Sequence, residues 1–102
     1  MAKELDLALE AYSFTNAFSP ANFADIARQL SEKHPESAEK DVQEAAEIAV
    51  RLHELVQKNP LYNEPFSTAR EKAEEYLRSN LPGLSEGLYF HAQNRIMQMY
   101  LH

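Results

Sequence analysis

An all-α fold is predicted for this 102-residue chain: a compact bundle of about five helices around a long central helix at about residues 37–59. Three observations predict it. The stretch from Ser37 to Asn59 contains neither Gly nor Pro and keeps a helical apolar period throughout. Four further segments carry apolar residues three and four apart, and the breaks between them hold the prolines. Only two glycines occur in the whole chain, which argues against disorder and against a turn-rich β fold.

The central segment justifies its place by length and pattern. At ~1.5 Å per residue, a helix over it would run about 33 Å, roughly the diameter of a small domain. Ala38, Val42, Ala45, Ala49, Leu52 and Val56 step by four, three, four, three and four, so they form one stripe, which Ile48 and Leu55 widen. Three of the six are alanine, so a neighbouring helix can come close. Lys40, Glu44, Glu47, Arg51, Glu54 and Lys58 occupy the opposite face, with Glu47–Arg51 and Glu54–Lys58 in the favourable acid-first order.

Ahead of it, residues 3–18 read as a first helix with two apolar rows. Leu5, Ala8, Leu9 and Tyr12 form one; Leu7, Ala11, Phe14 and Phe18 form the other. Ser19 followed by Pro20 is expected to cap a second helix, which runs to about Lys33 with Phe23, Ile26, Ala27 and Leu30 on its inner face. His34-Pro35 ends it, because the residue before a proline is pushed out of helical geometry. Ser37 is the expected cap of the central helix. Beyond Asn59, residues 60–66 hold two prolines with Leu61, Tyr62 and Phe66, and are expected to lie as a fixed connection against the core. Thr68 with Glu71 has the spacing of a capping box for a fourth helix whose inner row is Ala69, Ala73, Tyr76 and Leu77. After the turn Asn80–Leu84, Ser85 caps a fifth helix ending near Leu101.

Composition bounds the function. A single domain is the expectation for this length. The formal net charge of −6 repels phosphate backbones and anionic lipid, so neither nucleic acid nor membrane is an expected partner. The absence of cysteine removes disulfides, thiolate catalysis and thiolate-bound zinc. The N-terminal ten residues lack the apolar core of a secretory signal, and no run reaches the ~20 apolar residues of a membrane span, so a cytoplasmic protein is expected.

The constellations that could carry chemistry fall short. His53-Glu54 resembles the start of a zinc-protease helix, but the position four residues on is Gln57, a poor ligand. No Glu-x-x-His occurs for a di-iron bundle. Residues 23–30 followed by the central helix could be taken for a helix-turn-helix, yet the second helix would bring Glu36, Glu39, Asp41 and Glu44 against phosphates. Neither glycine sits in a phosphate loop or nucleophile elbow. No enzyme activity, metal or cofactor is expected.

What remains is surface. The last helix has a second apolar row, Phe90, Met97 and Leu101, opposite Leu88, Ala92, Ile96 and Met99. Together with Leu7, Phe14 and Phe18 it is a candidate interface, and a homodimer is the simplest cover for it. His91, Arg95, Gln98 and His102 form a polar stripe on that helix. Glu36, Glu39, Asp41, Glu44 and Glu47 form an acidic face that could occupy a basic, nucleic-acid-binding site on a partner, as an inhibitor or antitoxin does. A non-enzymatic protein-interaction domain is therefore the leading expectation, self-association its first form, the acidic blocker its second, and a DNA-binding regulator the least favoured.

Overall fold

The computed structural model describes residues 6–16, 19–60 and 65–100, and among them five α-helices and no strand. They are α1 (Leu7–Ser13), α2 (Phe23–Lys33), α3 (Glu39–Gln57), α4 (Phe66–Asn80) and α5 (Glu86–Tyr100). None of them is long and apolar enough to cross a membrane. The chain divides into two compact units, Met1–Arg51 and Leu52–His102. The first thirteen residues of α3 belong to the first unit and its last six to the second.

In the first unit α1 packs on α2. Asp6 caps α1, its carboxylate accepting from the Leu9 N–H at 3.0 Å. The helix stops earlier than the apolar rows suggest. Phe14 is already the C-cap, Ser13 Oγ donates to the Glu10 carbonyl, and Thr15 Oγ1 donates to the Tyr12 carbonyl at 2.6 Å. Hydroxyls thus satisfy carbonyls that a continuing helix would have used. The start of α2 is also a correction: Asn22, not Ser19, is the N-cap, and its Oδ1 accepts from the Asp25 N–H at 3.0 Å. Asn22 lies directly before the apolar period and places Asp25 in the first turn, where the helix dipole favours an acid. Ile26 and Leu30 are buried as the inner face requires, but Phe23, the first helical residue, is largely exposed.

Val42, Ala45 and Ala49 of α3 are buried in the first unit, and Ala46 joins them. Leu52 and Val56 are buried in the second, with His53 beside them. Ala38 is exposed and precedes the helix, which begins at Glu39.

The second unit is dominated by the pairing of α4 with α5. Ala69, Ala73 and Leu77 are buried on α4, and Leu88, Tyr89, Ala92, Ile96 and Met97 on α5. The expected capping box of α4 is not formed. Pro65 is the N-cap without a side-chain bond, and Thr68 lies inside the first turn, its hydroxyl donating to the Pro65 carbonyl at 3.2 Å. Tyr76 donates its hydroxyl to the Leu55 carbonyl at 2.7 Å, tying α4 to the end of α3. Burial raises that phenol above its ordinary value, so it stays a donor. Arg70 reaches across to α5, donating to Gln93 Oε1 at 3.3 Å and Asn94 Oδ1 at 3.1 Å, while Gln93 Nε2 donates to the Arg70 carbonyl at 2.8 Å. Between the helices Gly83 takes φ = 85°, a left-handed turn position that a Cβ would strain. Ser85 caps α5 as its spacing indicates, accepting from the Leu88 N–H at 3.2 Å. Residues 61–64, which hold most of the expected fixed connection, lie outside the described residues; Pro60 and Pro65 on either side are exposed.

Candidate functional site

Glu36, Glu39, Asp41, Glu44 and Glu47 are all exposed. The last four lie within the first nine residues of α3, and Glu36 lies three residues ahead of it. Their exposure follows from the helix itself: Val42, Ala45, Ala46 and Ala49 take the inward side, leaving the acids the outward one. Partners are few. Glu36 lies 3.6 Å from His34 Nδ1, Glu39 accepts from Gln43 Nε2 at 3.3 Å, and Glu47 pairs with Arg51 at 3.4 Å. Asp41 and Glu44 make no ion pair among the described residues. The acids of α4 are more neutralised, Glu75 with Lys72 at 3.6 Å and Glu74 with Arg78 at 3.7 Å.

The apolar interface residues are not gathered on one open face. Leu7 and Phe14 are half-buried in the first unit. Met97 turns inward and is only 7% exposed, because the buried side of α5 extends from Leu88 through Tyr89 and Ile96 to reach it. Met97 therefore offers little surface to another chain. Phe90 stands just past that edge and is 55% exposed, with the His91 ring edge-on at 5.9 Å. Phe18 and Leu101 lie outside the described residues. On the polar stripe His91 and Gln98 are exposed and Arg95 is half-buried; His102 is outside the described residues.

His53 is buried on α3, and among the described residues no group of three His, Asp or Glu is placed to hold a metal ion. A shallow cavity of about 140 Å³ opens between the end of α1 and the start of α2, with Phe14 and Ile26 beside Asn16, Asn22, Asp25 and Gln29. That is below the ~300 Å³ of an ordinary small-molecule pocket.

Two clusters were not readable from spacing. Glu10 of α1 meets Lys33 and His34 at the end of α2, and Tyr89 meets Arg78 and the turn before α5. Each joins residues whose proximity is set by packing between helices rather than by helical period. No family model, no curated protein and no solved structure matches the chain.

Proposed function

We propose that the chain is a protein-interaction domain without enzymatic activity, and that the surface it presents is the acidic face Glu36, Glu39, Asp41, Glu44 and Glu47. The observation that carries this reading is the exposure of all five acids, with Asp41 and Glu44 free of ion pairs among the described residues. Charge distribution supports it. Met1–Arg51 holds ten acids against five bases, whereas Leu52–His102 holds six against five, so the negative field centres on the unit that carries this face. Within 36–47 there are five acids and a single lysine, Lys40. A partner of matching chemistry is a protein with an exposed basic groove, of the kind that otherwise receives nucleic acid.

The test uses a fluorescent polylysine peptide as the basic probe and anisotropy as the readout. Asp41→Lys/Glu44→Lys is expected to weaken binding about tenfold, and binding is expected to fall steeply between about 0.05 and 0.3 M salt. Glu71→Lys/Glu75→Lys makes the same change in net charge on α4 and is expected to matter much less. Equal losses in the two variants would mean that total charge alone attracts the probe.

Self-association is the second reading, and the single observation favouring it is the exposure of Phe90. Its test is absolute mass by light scattering. A dimer that Phe90→Asp converts to a folded monomer supports it, and a monomeric parent chain rejects it.

A further inference from the structure

We draw no further inference here: the strongest candidate, the shallow cavity between the end of α1 and the start of α2, carries nothing because residues 17 and 18, between Asn16 and Ser19 of its wall, lie outside the described residues and nothing in the structure shows what covers it.

Discussion

Removing one hydroxyl at Tyr89 tests how the turn between α4 and α5 is held. The ring is buried, its hydroxyl donates to the Leu81 carbonyl at 2.5 Å, and it accepts from the Leu84 N–H at 3.2 Å. Leu81 is the C-cap of α4, so one side chain of α5 closes both ends of the connection that Gly83 bends. Tyr89→Phe keeps the ring, its packing and the Arg78 guanidinium 4.3 Å from its centre. What it removes is the partner of two part-buried backbone groups. With about 1 kcal/mol net for each hydrogen bond, the expected loss is about 2 kcal/mol, a factor of about 30 in the folded-to-unfolded ratio. Urea unfolding followed by circular dichroism measures it, and the midpoint should fall with little change in slope. Arg78→Gln is the comparison: it removes the contact on the ring face and the solvent-exposed bridges to Glu74 and Glu86, and should cost clearly less than Tyr89→Phe. A Tyr89→Phe effect below about 0.5 kcal/mol would refute the reasoning and mean that the turn is held by its own backbone.

Three further outcomes are expected. Asn22→Ala should cost about 1 kcal/mol by thermal or chemical unfolding, with Asn22→Ser recovering most of it, whereas Ser19→Ala should have little effect because Ser19 is not the cap of α2. Ala73→Leu should destabilise by about 1–3 kcal/mol, because Ala73 is fully buried on α4, the helix that pairs with α5, and extra methyl groups have nowhere to go. The hydrogen bond from Arg78 at 2.6 Å, with its positive charge, holds the Glu86 carboxyl below its ordinary value, so the bridge's contribution is present above the usual carboxylate range and is lost as pH falls. Carboxyl-carbon NMR should show the Glu86 midpoint rising toward the ordinary value in Arg78→Gln, and an unmoved midpoint would remove that account.

The central helix was the most legible part of the chain, for a physical reason: a long segment free of Gly and Pro leaves the period of its apolar residues unambiguous. Val42, Ala45, Ala49, Leu52 and Val56 are buried as the stripe requires. Ala46 and His53 lie seven residues apart on the flank of that stripe and are buried too. Ile48 and Leu55, expected to widen the stripe on its other side, are only half-buried, so the buried side extends toward Ala46 and His53 instead. Helix starts were harder. Ser19-Pro20 and Asn22 are both cap signals three residues apart, and a local rule cannot choose between them; Thr68 with Glu71 competes in the same way with a start at Pro65. On α5 the row through Phe90 and Met97 runs along the border of the buried side, so one residue falls outside it and the other within. The acidic face was legible because charge is carried by residue type, and the outward side of α3 follows from its apolar stripe. The clusters around His34 and Tyr89 were not, because they join separate helices at places that only packing defines.

The most direct test of the acidic face as the working surface is a map of backbone amide shifts as the polylysine peptide is added to the labelled chain. The account predicts the largest shifts between Glu36 and Glu47, with the amides around Glu71 and Glu75 moving little and those around Phe90 unmoved. Shifts spread evenly over every acidic stretch, or centred on Phe90, would contradict it.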